Sequence, residues 1–253
     1  MDLGLAGKKA IITGGSKGIG RAIAETLAAE GCHVAICARG EGGVAAAVEA
    51  LKGKGVKAFG RALDVTDRDA LLGWVEASAK ELGGLDIAVA NVSALDMNRT
   101  DDAFRHEFEV DLLHTVRTVD AALPHLERSD AGAIVVISSV SGLEFDFTSP
   151  AYGTFKAALV HYASRMASEL APKHIRVNSV SPGNTYFEGG IWQHIERNLP
   201  DLFKEAMSKN PWGRMATDQE VANAAVFLAS PVSSFTTGVN LVVDGALTRR
   251  VQY

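Results

Sequence analysis

Short apolar runs alternate with amphipathic stretches along the whole chain. Lys9-Ala-Ile-Ile-Thr13 is a brief apolar segment that runs into the glycines of residues 14–20. Residues 19–30 then carry apolar side chains at spacings of three and four, the mark of one buried helix face. The same rhythm continues to the C-terminus. It predicts strands over 9–13, 33–38, 56–60, 85–91, 133–138, 175–180 and 239–243. Helices are expected over about 19–30, 43–53, 67–82, 101–127, 150–171 and 218–229. Continuous rather than alternating apolar strands, such as Ile134–Ile137, suit a sheet covered on both faces. Strand–helix alternation therefore predicts an α/β fold, a parallel seven-stranded sheet with helices on both faces. No repeat or Pro/Gly/Ser linker divides residues 1–253, which are expected to form a single domain. The one long departure from the rhythm is 184–216.

Two groups of residues carry candidate chemistry. The first is the loop Gly14-Gly-Ser16-Lys17-Gly18-Ile19-Gly20 between the first strand and helix. Glycines at 14, 18 and 20 permit a tight turn, close approach of a pyrophosphate and close packing of helix on strand. A helix N-terminus offers unpaired N–H groups to phosphate charge. A Walker-type loop is excluded, because no Gly-Lys-Ser/Thr ends the run. The second group is Tyr152 and Lys156, with Ser139 thirteen residues before the tyrosine. Residues i and i+4 share a helix face, so a cation lies beside a phenol and favours its ionised form. Ser139 ends an apolar strand, where its hydroxyl can bond a substrate oxygen.

Thr13-Gly14-x-x-x-Gly18-x-Gly20, Asn91, Ser139, Tyr152-x-x-x-Lys156 and Pro182-Gly183 together resemble the short-chain dehydrogenase/reductase family, over nearly the whole chain. The resemblance implies a single doubly wound Rossmann-type domain with strand order 3-2-1-4-5-6-7. It also implies hydride transfer between a nicotinamide and a carbonyl carbon. Ser139 would hold the carbonyl oxygen and Tyr152 would exchange the proton. Lys156 would hold the ribose hydroxyls and lower the tyrosine pKa. Gly14, Ser16, Lys17, Gly18 and Ile19 would line the phosphates, Asp64 and Val65 would clamp the adenine, and Asn91 carries over from the family's Asn-Asn-Ala-Gly. Pro182, Gly183 and the backbone of Thr185 would approach the nicotinamide; the family's threonine stands two places later, where this chain has Phe187. The family's fourth catalytic position, usually asparagine, holds Asp111. An ionised carboxylate there can pair with Lys156 and blunt its effect on Tyr152.

The end of the second strand distinguishes the cofactor. NAD-selective sites place an acid about twenty residues past the glycine loop, whereas this chain has Ala38 followed by Arg39. Arg39, with Lys17 nearby, can grip a 2′-phosphate, which favours NADP(H).

Composition narrows the rest. Hydrophobic residues make up 47% and charged residues 22% of 253, with a net charge of −5. This is ordinary globular composition with no basic footprint for nucleic acid or an anionic membrane. No apolar run reaches membrane-spanning length and no signal-peptide order opens the chain. Cys32 and Cys37 should point to opposite faces of one strand and read as reduced, so a cytoplasmic setting is expected. The histidines show no metal-ligand spacing, and no metal is expected. Five aromatics, Tyr186, Phe187, Trp192, Phe203 and Trp212, lie in the 184–216 stretch, where the family places a lid. Tyr186, Phe187 and Trp192, with Ser141, Glu144 and Phe145 on the opposite wall, are the candidate substrate pocket.

The leading expectation is an NADPH-dependent oxidoreductase interconverting a ketone and a secondary alcohol on a small to medium, mainly apolar substrate. A 3-oxoacyl-thioester (acyl carrier protein) reductase shares every motif, but would need a docking surface of clustered cations, and only Lys173-His174-Ile-Arg176 is locally basic. A non-catalytic NADP(H)-binding sensor is the third reading. The resemblance implies a homotetramer assembled through helices 101–127 and 150–171 and the C-terminal strand, ordering the tail 244–253.

Overall fold

In the computed structural model, which describes residues 2–251, the first two apolar runs become β1 (Lys9–Thr13) and β2 (His33–Ala38), joined by α1 (Gly18–Ala29). Next come α2 (Glu41–Lys52), β3 (Ala58–Ala62), α3 (Arg68–Leu82) and β4 (Ile87–Ala90). A long helix follows in three parts: α4 (Asp101–Glu107), a π-helical stretch at Phe108–Leu113, and α5 (His114–Leu126). β5 (Ala133–Ile137), α6 (Pro150–Leu170) and β6 (Arg176–Pro182) complete the central region. The chain ends with β7 (Thr185–Tyr186), α7 (Ile191–Asn198), α8 (Pro200–Lys209), β8 (Ala216–Thr217), α9 (Asp218–Ala229) and β9 (Asn240–Val243). Met1, Gln252 and Tyr253 lie outside the described residues, and so does the expected ordering of the last two tail residues.

All ladders of the main sheet are parallel, and its seven strands run β3-β2-β1-β4-β5-β6-β9. This is the implied order, with the last sheet strand in seventh place. Chain direction across the sheet reverses between β1 and β4, which opens a crevice at the carboxyl ends of the strands. Side-chain alternation sorts the core into two layers. Ile12, Val34, Ile36, Val89 and Val135 pack with α1, α2 and α9. Ile11, Ala35, Cys37, Ala88, Ile134 and Val136 pack with α3, α5 and α6. Cys32 and Cys37 fall in opposite layers, both free and fully buried. Burial pushes the Cys37 thiol up to about 12, so it acts as a small apolar side chain.

Three departures from the sequence expectation have physical causes. β3 begins at Ala58 rather than 56 and extends to Ala62, because its ladder starts where Ala58 meets Val34 and its outer end, Arg61-Ala62, is an exposed sheet edge without an apolar signature. The helix expected over 101–127 contains a wide turn at Phe108–Leu113, a local form often found at functional sites. The 184–216 stretch, expected only as a break in the strand–helix rhythm, contains two short helices. Its α7 and α8 bury Trp192, Ile195, Ala206 and Met215 against one another, with Tyr186 and Phe203 at the margin, as a small core of their own.

One buried cation fastens the far side of the sheet. The Arg176 guanidinium, at the start of β6, donates to the carbonyls of Leu228 (2.6 Å), Ala229 (3.1 Å) and Ser230 (3.1 Å) and to the Ser233 hydroxyl (2.6 Å). These are carbonyls at the C-terminal end of α9 that lack helical partners. Arg176→Met keeps an unbranched apolar stem but removes every guanidinium donor, leaving the Ala229 carbonyl without its partner and the Leu228 and Ser230 carbonyls with only their bonds from Ser233. It should cost about 3 kcal/mol, read as a lower urea midpoint with an unchanged m-value.

Candidate active site

The site forms where the carboxyl ends of β1, β4, β5 and β6 come together. β1 ends at Thr13 and turns sharply at Gly14, whose φ is +71°, a conformation that side chains rarely adopt. Gly20 is required for a different reason: a Cβ there would lie 2.4 Å from the Gly14 carbonyl and from Asn91 Nδ2. Asn91 donates its side-chain amide to the Thr13 carbonyl (3.0 Å), and its backbone N–H donates to the Thr13 hydroxyl (3.0 Å). It therefore clasps β4 to the glycine loop rather than reaching outward. The Thr13 hydroxyl lies 3.1 Å from His114 Nε2. His114 is fully buried, bonded through Nδ1 to the Val110 carbonyl, and burial brings its pKa down to about 4, so the ring is neutral.

α1 starts directly after this loop, and its N-cap residue, Lys17, makes no capping hydrogen bond with its side chain. By contrast Asp67, Thr100, Ser149 and Thr217 cap α3, α4, α6 and α9. The α1 amides, like those of α2, α7 and α8, have no side-chain cap, and at α1 the glycine loop in front of them allows close approach of a phosphate. Lys17 and Arg39 are both exposed, and Ser16 faces Gly43 across the start of α2. Asp64 accepts from the Thr66 N–H (2.9 Å) and hydroxyl (2.8 Å), which holds its carboxyl below the usual range. The uncapped helix, glycine loop and flanking cations fit a dinucleotide with an additional phosphate.

Ser139 follows β5. Its hydroxyl donates to Ser141 Oγ (3.1 Å), accepts from the Ser141 N–H (3.1 Å) and favours the ionised form of the Tyr152 phenol. Tyr152 and Lys156 share a face of α6, with Lys156 Nζ 5.5 Å from the tyrosine ring centroid. Lys156 is 1% exposed and donates to the Ile137 carbonyl (3.2 Å). Its counter-charge is Asp111, whose Oδ1 lies 2.8 Å from Nζ and whose Oδ2 accepts from the Ala94 N–H (2.8 Å). Burial opposes the charge of both groups, but each holds the other ionised: Asp111 sits below the usual carboxylate range and Lys156 above the usual ammonium range.

The phenol differs from the expectation that Lys156 brings it toward neutrality. Burial first, then Asp111 and Glu107, hold Tyr152 above its ordinary value, against the opposing pull of Lys156 and Ser139. The cation is present, but burial outweighs its pull and Asp111 opposes it further.

The predicted pocket residues divide. Trp192 is buried, with its ring 5.2 Å from Phe147 and 6.4 Å from Phe203. Tyr186 bonds Glu196 through its hydroxyl (2.5 Å) and packs on Phe203. Phe187 lies over the glycine loop, so close that a Cβ on Gly18 would come within 2.6 Å of the ring. Glu144 accepts from the backbone N–H groups of Arg249 (2.9 Å) and Arg250 (3.1 Å), tying down the C-terminal tail. Phe145 is fully exposed, and Phe147 takes the place on the wall that the sequence reading gave it. Ser141 donates to Asp146, placing a carboxylate one hydroxyl away from Ser139. The Thr185 hydroxyl is turned to the Gly183 carbonyl (3.1 Å), and Pro182 and Gly183 end β6 beside β9.

The sequence reading missed Glu107. It is completely buried, one turn before Asp111 on the same helix, and its Oε1 accepts from the Asp96 N–H (2.6 Å). Its only signal was the i, i+4 spacing to Asp111, which in sequence looks like a solvated acidic face.

Comparison with known proteins agrees with this geometry. A family model described as enoyl-(acyl carrier protein) reductase matches residues 14–248. Isoepoxydon dehydrogenase of Penicillium expansum is 38% identical over 100% of this chain and 99% of its own. The 3-oxoacyl-(acyl-carrier-protein) reductase of Vibrio harveyi is 34% identical over 97% of this chain and 99% of its own. The crystal structure of L-sorbose reductase from Gluconobacter frateurii, complexed with NADPH and L-sorbose, superposes with a TM-score of 0.92 at 30% identity, covering 99% of this chain and all of that one. The chain belongs to the short-chain dehydrogenase/reductase family, and its activity is that of an oxidoreductase.

Asp111→Asn removes the counter-charge of a buried ammonium and should cost about 3 kcal/mol at neutral pH. Because the folded carboxyl titrates below its unfolded value, the native state binds fewer protons there, and this contribution disappears as the pH falls through the acid range. Thermal unfolding of both proteins should show the gap narrowing toward acid pH.

Proposed function

We propose that the protein is an NADP(H)-dependent oxidoreductase that interconverts a ketone and a secondary alcohol on a small to medium, mainly apolar substrate. The carrying observation is the grouping of the Ser139 hydroxyl, the Tyr152 phenol and the Lys156 ammonium on β5 and α6, the phenol still protonated. Gly14, Ser16, Lys17, Gly18 and Ile19 would hold the pyrophosphate, with Arg39 and Lys17 at a 2′-phosphate and Asp64 and Val65 at the adenine. Pro182, Gly183 and Thr185 would border the nicotinamide, and Asn91 acts by fixing the glycine loop. When bound, the nicotinamide supplies or accepts the hydride. Ser139 bonds the carbonyl oxygen, and Tyr152 gives it the proton in reduction or removes it in oxidation.

The 184–216 stretch, with its Trp192–Phe203 core set against Phe147, is the proposed lid and the source of the apolar preference. Likeness to a 3-oxoacyl-(acyl-carrier-protein) reductase favours a thioester substrate as the second reading. Charge argues against it: in the locally basic 173–176 segment Arg176 is buried, and Lys173 is paired with Glu127 at 2.5 Å. Assembly as a homotetramer is part of the same reading. Phe104 and Phe108 expose their rings beside Phe155 on the two long helices, and Val232, Phe235 and Val239 are exposed near the C-terminal strand. Among the described residues no helix is long and apolar enough to cross a membrane, in keeping with a cytoplasmic enzyme.

Tyr152→Phe removes only the hydroxyl. It should bind NADPH normally by fluorescence titration while turnover of a ketone panel falls by about a hundredfold or more. Near-normal rates would place the proton donor elsewhere.

With Arg39 and Lys17 at the ribose end, kcat/KM should favour NADPH over NADH by at least about tenfold, or about 1.4 kcal/mol. Arg39→Asp should reverse the order, since a carboxylate repels the 2′-phosphate. Equal use of both cofactors by the unaltered protein would refute the assignment.

A further inference from the structure

Glu107 poses a hydrogen-bonding problem that points to its role. Glu107 and Asp111 are both fully buried and lie one helical turn apart. One oxygen of each is taken: Glu107 Oε1 by the Asp96 N–H, and Asp111 Oδ2 by the Ala94 N–H. Asp111 Oδ1 faces the Lys156 ammonium at 2.8 Å, which leaves Glu107 Oε2 buried with no hydrogen-bond donor if both groups are carboxylates. Orphaned buried oxygens of this kind are strongly unfavourable. One proton resolves the conflict, because the two side chains are within hydrogen-bonding reach of each other. Asp111 is already fixed as the ionised partner of Lys156, 2.8 Å away, so the proton resides on Glu107. The result is a buried series: a carboxylic acid, a carboxylate, an ammonium and the phenol of Tyr152.

We propose that Glu107 is a positioning residue for the Tyr152–Lys156 pair. Its proton anchors Asp111, and its ionisation adds a second negative charge beside Lys156, so that the protonation of Glu107 sets the pH at which Tyr152 changes from proton donor to proton acceptor. This rests on the proposed role of Tyr152 as acid and base, and it adds a second titrating group to that site.

The surroundings determine when Glu107 ionises. Asp111 and the neutral His114 lie on its own continuous helix, with His106 beside it at the surface; Lys156 and Tyr152 face the pair from α6, and the Asp96 backbone approaches from the loop after β4. Burial, then the hydrogen bond and charge of Asp111, push the Glu107 carboxyl up to about 8, with the Asp96 N–H and Lys156 acting in the opposite direction. Below that pH the pair carries one negative charge, which Lys156 balances. Above it the Glu107 O–H bond breaks, the proton leaves to water and the pair carries two negative charges. Tyr152 then ionises less readily. Ketone reduction keeps its proton donor, while alcohol oxidation, which needs the phenolate, is held back.

The test combines two readouts on the cofactor-free protein with one on the reaction. Carbon-13 NMR of protein labelled at the glutamate carboxyl should show one carboxyl that keeps its proton through neutral pH and ionises at about 8. That resonance should be missing from Glu107→Gln, which retains an N–H donor for Asp111. If every glutamate titrates in the ordinary acid range, the proposal is wrong, whether or not the variant folds. Ultraviolet absorbance of tyrosinate, corrected by subtracting Tyr152→Phe, should show Tyr152 ionising at lower pH in Glu107→Gln. Identical titrations would also overturn the idea. In the pH profiles of kcat/KM for alcohol oxidation and for ketone reduction, Glu107→Gln should move the ionisation of the acid–base group to lower pH by at least about half a unit, a threefold change in phenolate population, and unmoved profiles would count against the proposal. A Tyr152→Phe enzyme that still turns over would refute the proposed function while leaving the NMR and tyrosinate outcomes to judge Glu107.

Discussion

The ammonium of Lys156 is the charge around which the site is built. Taking an ammonium out of water costs several kcal/mol unless a partner and hydrogen bonds replace the solvent. Here the replacement draws on four parts of the chain. Asp111 comes from the π-helical stretch, the Ile137 carbonyl from β5, the Ala94 N–H from the loop after β4, and Lys156 itself from α6. Ser138 donates to the Lys156 carbonyl at 2.7 Å, and Gly142 lets the β5–α6 connection press on the same turn, where a Cβ would lie 2.6 Å from the Ala157 nitrogen. Satisfying one buried cation thus sets the distance between β5 and α6. That distance places Ser139 and Tyr152 together.

Local pattern carried much of this into the sequence. An i, i+4 tyrosine and lysine must share a helix face, and a strand–glycine–helix order can scarcely form anything other than an open anion cradle. Ser139 was legible because it stands at the end of a continuous apolar run. What stayed hidden depends on contacts between distant segments. Glu107 reads as one more acid on an acidic helix, and only the approach of α6 and of the loop at Asp96 buries it. Glu144 reads as a polar wall residue, and only the returning tail occupies its carboxylate. Phe187 was placed on the substrate wall by proximity in sequence, whereas the path of the chain after β6 sets it over Gly18. β3 was shifted because an exposed sheet edge lacks the apolar signature of the buried strands.

The two ends of the crevice solve their electrostatics in opposite ways. At the glycine loop, α1 keeps its N–H groups free while four other helices use a side chain to cap theirs, and the nearby Lys17 and Arg39 stay exposed. On the proposed reading the phosphates of the cofactor complete that end. At the proton end every charge is already answered from within the protein. On the proposed reading a ligand there would meet a finished network rather than free charges, and shape would carry its selection.

This division bears on the direction in which the protein rests. A lone lysine beside a buried phenol would draw it toward the phenolate and leave it ready to take a proton. Burial outweighs that draw, with Asp111 and Glu107 acting in the same sense as burial, so the phenol stays loaded. On the proposed reading the cofactor-free site waits as a proton donor, the state that ketone reduction needs. Alcohol oxidation must first strip the phenol against both burial and the Asp111 charge. Substituting a carboxylate for a neutral side chain at one helical position thus changes no contact with substrate, yet it raises the pH at which the phenol can act as a base. The cost of that substitution, a second buried acid needing a partner, is met by the proton on Glu107.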